Sequence, residues 1–228
     1  MKNKILAIVL TAIFGTAVFF LIITASIGLP IYLRFFYYLH INALGLPEST
    51  GYDYATIKTA YDQVLNYLTL PNREFGTGAL AFTAEGASHF ADCKVLFNLN
   101  LIVLIISAII ILTLLILNAK KVITLCRPFK MNVAFLSACS VLFAFVVLGV
   151  VVSIDFNTAF IVFHKLFFAG KDNWTFHPNK DEIIKILPQQ FFMNCAIFIL
   201  LGIVLISLSI ILVQIIKRKK RVEKNKNF

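Results

Sequence analysis

The chain has 228 residues, of which 60% are hydrophobic and 14% charged, with a mean hydropathy of +0.88. A soluble domain carries about 25% charged residues, so a water-soluble globular enzyme is excluded and an integral membrane protein is expected. The net charge of +10 argues for membrane topology rather than nucleic-acid binding, because the basic excess sits at the ends of apolar runs.

A helix needs about 20 apolar residues to cross roughly 30 Å of hydrocarbon. Four runs reach that length: Ile5–Leu29, Leu99–Leu117, Val133–Ile154 and Phe191–Ile216. Thirteen of the 21 basic residues flank alternate span ends against one acid, Glu223, while the two remaining connections hold eight basic and ten acidic residues. Because basic residues stay inside, this pattern places both termini and the short middle loop in the cytoplasm. The expected layout is a cytoplasmic N-terminus and first span at 1–29, then an outer loop at 30–98 and a second span at 99–117. A cytoplasmic loop at 118–132, a third span at 133–154, a second outer loop at 155–190, a fourth span at 191–216 and a basic tail at 217–228 complete it. The first run is longer than the 7 to 15 residues of a cleavable signal region and reads as a retained anchor.

After the first span, the aromatic-rich Ile31–His40 segment fits an interfacial belt, and equally the wall of a pocket for acyl or glyceryl groups. Leu46–Gly51 reads as a turn. From Asp53 to Leu68 the apolar residues Tyr54, Ile57, Tyr61, Val64, Leu65 and Leu68 recur at helical spacing, with Asp53 placed to cap the start. One apolar stripe needs a partner, so the loop is expected to fold as a small cap.

Next comes a polar island, Glu85-Gly86-Ala87-Ser88-His89-Phe90-Ala91-Asp92-Cys93-Lys94, immediately before the second span. Ionisable groups at membrane depth are costly and need a reason. On a helix starting at Ser88, His89 and Asp92 share a face, whereas Lys94 points elsewhere. A carboxylate there would hold one ring nitrogen of His89 protonated and leave the other as a base. Composition equally allows an ordinary helix start capped by Ser88, with His89 as a wet interfacial residue.

The third span offers few polar side chains, which argues against a transport path. In the second outer loop, Phe156, Phe160, Phe163 and Phe167 form a stripe on a helix that also carries His164. Aromatic surroundings disfavour the imidazolium, so His164 is expected to be neutral, either as a proton shuttle or as a packed interfacial residue. A short helix is expected from His177 to Pro188. Cys93 and Cys195 are the cysteines that the topology places outside; a disulfide between them stays open, and no metal-binding spacing is present.

Three pieces together resemble the lipoprotein intramolecular transacylase family of bacterial membrane proteins. They are Gly86-x-x-His89-Phe90-x-Asp92-x-Lys94-x-Leu96-Phe97, then Phe163-His164-x-x-Phe167-Phe168 followed by Trp174-x-Phe176-x-Pro178-x-x-Asp181, and, more weakly, Gly51 before the Tyr54–Leu68 helix. The chain departs from the family with Cys93 in place of Val and His177 in place of Asp. The resemblance implies an α-helical polytopic membrane protein of the bacterial cell membrane, with four transmembrane helices and a small, mainly helical extracellular cap. It implies a cofactor-free monomer acting on diacylglyceryl-modified lipoproteins among membrane lipids, without metal or nucleic acid. The implied reaction moves the sn-2 acyl chain of the diacylglyceryl-cysteine to that cysteine's own α-amine.

By motif the catalytic residues are His89 and His164. Asp92 and Lys94 are expected in support, and Phe90, Phe163, Phe167 and Trp174 as a substrate pocket. The division with His89 as base and His164 on the oxygen side is favoured, with the reverse close behind. The competing reading is a non-catalytic membrane module that binds a lipid or partner protein through the cap.

Overall fold

The computed structural model describes residues 2–226 and is built from helices among them. In chain order these are α1 (Lys2–Tyr32), α2 (Phe35–Ala43), α3 (Leu46–Thr50), α4 (Tyr54–Thr69), α5 (Ala84–Ala119), a 3-10 turn (Pro128–Lys130), α6 (Val133–Ile154), α7 (Phe156–Phe167), α8 (Ile183–Ile186) and α9 (Gln189–Lys226). Four of them, α1, α5, α6 and α9, are long and apolar enough to cross a membrane, and each contains one of the four apolar runs. Of the basic tail at 217–228, residues 227 and 228 lie outside the described residues.

The chain divides into two compact units: Met1–Ile27, Leu101–Val150 and Ile199–Phe228 form one, and Gly28–Asn100 with Val151–Phe198 form the other. The first unit is the apolar part of the four long helices, packed around Phe14, Val18, Ile22, Ala138, Val141 and Ile203. Hydroxyls in such surroundings need internal partners. Thr11 Oγ1 donates to the Ala7 carbonyl at 2.7 Å, and Ser137 Oγ reaches across from α6 to the Gly15 carbonyl of α1 at 2.9 Å.

The second unit holds the short helices, the start of α5 and the start of α9. Asp53 caps α4 by accepting from Thr56 N at 2.6 Å, as its position at the head of the periodic stripe predicts. That stripe faces inward: Ile57, Tyr61, Val64, Leu65 and Leu68 are all buried. Their partners include Tyr37 and Ile41 of α2, the helix that the aromatic segment forms, which buries one face while Phe35 and Leu39 stay exposed on the other. Tyr37 stacks on Tyr61 with ring centroids 3.7 Å apart, meets Phe191 edge-on at 5.0 Å, and donates its hydroxyl to the Ile186 carbonyl at 2.8 Å. At the rim, Arg34 donates to Asp62 and Asn66, while Tyr38 and Lys58 also reach Asp62, which ties α2 to α4.

Two expectations need correction. α5 begins at Ala84, so Ser88 lies inside the helix, and the cap is Thr83, whose Oγ1 accepts from Gly86 N at 3.0 Å. The helix expected from His177 shrinks to Ile183–Ile186, because Lys180 N and Asp181 N both donate to the His177 carbonyl in a turn. Cys93 and Cys195 are free thiols.

The buried Tyr37 hydroxyl gives a direct check on this core. Tyr37→Phe leaves the Ile186 carbonyl without its partner and is expected to cost about 1–3 kcal/mol. A lower thermal midpoint in detergent than that of the unaltered chain is the expected result.

Candidate active site: two buried histidines

The site lies within the second unit and starts from the way α5 is anchored. The backbone of residue 81 exchanges bonds with Glu182: Glu182 N donates to the Ala81 carbonyl at 2.9 Å, and Ala81 N donates to Glu182 Oε2 at 3.0 Å. Just before Glu182, buried Asp181 accepts from both Thr83 N and Thr83 Oγ1 at 2.8 Å. This latch joins residues about a hundred positions apart at the first turn of α5. It also explains Gly86, where any side chain would collide with Asp181 Oδ1 and lie 3.1 Å from the Phe176 ring.

One turn further along α5 is His89, 5% exposed, and α7 supplies His164, 8% exposed. Their ring centroids are 5.8 Å apart with planes inclined by 28°. Rings enclose them: Phe168 lies 4.7 Å from His89 and 5.6 Å from His164, Phe176 lies 5.4 Å from His89, and Trp174 lies 5.0 Å from His164. Burial pushes the His164 pKa down from the usual 6.5, and the backbone bond from its ring offsets this only in part. That bond runs from His164 Nδ1 to the Phe160 carbonyl at 2.7 Å. A carbonyl only accepts, so Nδ1 carries the proton and Nε2 presents its lone pair.

His89 is held differently. Its Nε2 is 3.4 Å from Cys93 Sγ one turn along, and its Nδ1 is buried with no partner. Asp92, expected to orient this ring, instead accepts from Lys171 Nζ and from Asn173 Nδ2 at 3.0 Å. The reason is reach: the loop after α7 brings a cation and an amide to the carboxylate, and both outcompete an imidazole on the same helix. Asn173 Nδ2 also touches Ser88 Oγ at 3.3 Å, and Trp174 Nε1 donates to the Lys171 carbonyl at 2.9 Å, which holds the indole beside His164. Asp92 therefore positions the loop, and the loop positions Trp174.

The remaining expected residues separate. Lys94 is turned away, its ammonium 4.3 Å from the centre of the Tyr67 ring. Phe90 is buried between Phe75 and Phe176, at 5.1 and 5.9 Å, so it backs the site instead of lining a pocket. Phe163 and Phe167 are exposed on α7 and 4.6 Å apart, with Phe163 5.5 Å from His164. Phe168 meets His164 as their four-residue spacing implies. Sequence reasoning missed Phe176, Lys171 and Asn173, and Cys93 as a partner of His89; the Lys171 and Asn173 contacts to Asp92 leave no periodic trace.

Among the described residues no group of three or more His, Cys, Asp and Glu side chains is placed to hold a metal ion. An oxygen or nitrogen nucleophile entering here would meet one imidazole lone pair at His164 Nε2 and one unpartnered ring nitrogen at His89.

Gly86→Ala tests the latch. Clearing the new methyl group requires Asp181 to leave Thr83, so the variant is expected to lose about 1–3 kcal/mol of stability and part of its activity. Thermal melting and turnover of the purified variant check both, whereas Ala87→Ser at the neighbouring half-buried position should show neither loss.

Comparison with known proteins agrees with the geometry. The sequence pattern of the family lipoprotein intramolecular transacylase Lit matches residues 12–192. A search of curated proteins finds no match. A solved structure of the membrane integral lipoprotein intramolecular transacylase Lit from Bacillus cereus is similar at 28% identity, with a TM-score of 0.83, covering 94% of this chain and 97% of that one. Structures of the same Bacillus cereus protein with one histidine changed to arginine or to alanine are similar at 27% and 26% identity, with TM-scores of 0.77 and 0.75. The first of these covers 94% of this chain and 93% of its own, the second 93% and 94%. The chain is thus a multi-pass membrane protein and belongs to the lipoprotein intramolecular transacylase family, as an acyltransferase rather than a non-catalytic module.

Proposed function

We propose that His89 and His164 form the acid–base pair of this transacylase, and that it moves an acyl chain within one lipoprotein. The chain travels from the sn-2 ester of a diacylglyceryl-modified N-terminal cysteine to that cysteine's α-amine. The observation that carries this reading is the pairing of two buried imidazoles, one of which has an unpartnered ring nitrogen. Buried polar atoms are rarely left unpaired, and those that are point to a ligand or a catalytic role.

The geometry supports the reverse of the division favoured from the sequence. His164 Nε2 is the acceptor, because Nδ1 is spent on the Phe160 carbonyl, so His164 takes the proton of the α-amine. The amine nitrogen attacks the ester carbon, and collapse of the tetrahedral intermediate breaks the bond to the glyceryl oxygen. That oxygen receives back the proton that His164 took up, so both imidazoles end neutral, and the unpartnered His89 Nδ1 is assigned to the oxygen side. Atoms and charge balance without a second substrate, since one proton leaves nitrogen and one arrives at oxygen. Two imidazolium ions 5.8 Å apart would repel in such apolar surroundings, which keeps the proton inventory at one. Orienting amine and ester in one molecule is worth roughly 7–11 kcal/mol in favourable cases, so modest acid–base help suffices.

Exposed Phe163 and Phe167, together with Trp174, offer apolar surface to the acyl and glyceryl groups beside His164. The distribution of basic residues supports cytoplasmic termini, with the site on the outer side of the cell membrane, where membrane lipids surround it. As a second reading, the first unit's cations also anchor it against anionic lipid.

The test is expression with a diacylated lipoprotein and mass spectrometry of its N-terminal peptide. An N-acyl, S-monoacylglyceryl cysteine is expected, and it should fall by about 100-fold or more in His89→Ala and in His164→Ala. Persistence of that product in both variants overturns the pair. The pH profile follows from the sign of the shift. His164 acts as base only when neutral, and its pKa lies below 6.5, so this ring is already a competent base at neutral pH and loses that role only in acid. The substrate amine, with a pKa of about 7.7–8.0, must also be neutral and sets the higher of the two acid-side limits, so kcat/KM should rise with pH up to about 8.

A further inference from the structure

A second unpartnered polar atom belongs to Asn173, a residue bonded to the helix that carries the first. Among the described residues, the buried side-chain atoms without a hydrogen-bond partner are His89 Nδ1, Asn173 Oδ1 and Ser207 Oγ, and the first two belong to neighbouring parts of one site. Asn173 is joined to the helix that carries His89 through Ser88 Oγ and Asp92 Oδ2, and it precedes Trp174, whose ring lies 5.0 Å from His164.

The orientation of the Asn173 amide follows from its partners. A carboxylate only accepts, so the group facing Asp92 is Nδ2 and the group left over is the carbonyl Oδ1. An unpaired buried carbonyl asks for a donor, and leaving it without one costs about 1–3 kcal/mol. No protein donor reaches this oxygen: Lys171 Nζ is directed at Asp92, and Trp174 Nε1 at the Lys171 carbonyl. The substrate class narrows the choice. The two ester groups and the thioether of a diacylglyceryl-cysteine present acceptors, whereas its α-amine presents N–H donors.

Building on the two-histidine reading, we infer that Asn173 is a substrate-binding residue of this site, its Oδ1 accepting an N–H of the cysteine α-amine. The contact takes one amine hydrogen, leaves another for an imidazole and directs the nitrogen lone pair away from the carbonyl oxygen. It also gives the Asp92 clamp a purpose beyond the loop, because the bond to Nδ2 decides which end of the amide faces the substrate. Selectivity for a free amine follows, since an N-acylated cysteine has fewer donors to offer and an extra chain to accommodate.

The experiment uses two non-reactive probes in detergent: a dialkyl ether analogue of the diacylglyceryl-cysteine peptide, and its counterpart lacking the α-amino group. The unaltered protein is expected to bind the amine-bearing probe about tenfold more tightly, and the preference should vanish in Asn173→Leu. Equal binding of both probes by the unaltered protein, or an unchanged preference in Asn173→Leu, overturns the inference. Trp174 is the single tryptophan of the chain, so its fluorescence reports the loop. Emission matching the unaltered protein in Asn173→Leu assigns the loss to Oδ1, whereas a shifted emission, with the same loss in Asp92→Asn, assigns it to loop placement and overturns the inference. The outcome is separable from the acid–base pair: if His89→Ala and His164→Ala abolish the N-acyl product while both probes bind equally, the pair stands and the Asn173 contact falls.

Discussion

The Asp92 carboxylate is the contact on which the site depends. It accepts from Lys171 and Asn173, about eighty residues further along the chain, and so ties the loop after α7 to the helix that carries His89. An ion pair this exposed contributes only about 0–1 kcal/mol to stability, so its role is register rather than strength. The stability of the unit comes from the Tyr37, Tyr61 and Phe191 cluster and the α4 stripe, where each fully buried large side chain contributes about 1.5–3 kcal/mol. Core burial thus holds the scaffold, and a weak polar clamp decides which side chains meet on it.

A second constraint acts on the histidines themselves. Both are buried among aromatic rings, where a charged imidazole is disfavoured, yet each keeps one nitrogen available. His164 achieves this with a backbone bond one turn back, at Phe160, and His89 with a neighbouring thiol at Cys93. The two arrangements differ in what they settle. A carbonyl partner leaves a single neutral tautomer, whereas a thiol, a weak donor and a weak acceptor, permits either. The asymmetry gives the two rings different aptitudes from the same residue type, which suits the proposed acid–base pair.

The apolar surface has a similar division. Phe90, Phe168 and Phe176 are spent on enclosing the pair, while Phe163 and Phe167 stay exposed on the outer face of α7. On the proposed reading a lipid-modified substrate would supply the apolar cover that this face lacks within the chain, and the same surface would be a liability in a protein that worked in water.

Much of this was already legible in the linear chain. Apolar run lengths and the positions of lysine and arginine sufficed for the four long helices, because hydrocarbon leaves a backbone little alternative to the helix. The α4 stripe and its Asp53 cap followed from periodicity, and the two histidines stood out as ionisable groups in greasy surroundings. Partner choice was another matter. Helical spacing put Asp92 on the His89 face, but Lys171 and Asn173 were better donors and arrived from a distant loop; Lys94 found an aromatic ring, and Phe90 turned into the core. The aromatic helix after the first span likewise turned Tyr37 and Ile41 into the core, since α4 offered them a stripe to cover. Local periodicity determined what each segment could become, and only the tertiary structure decided which side chains competed for the same atoms, because those contacts join residues well separated along the chain and leave no mark on their neighbours in sequence.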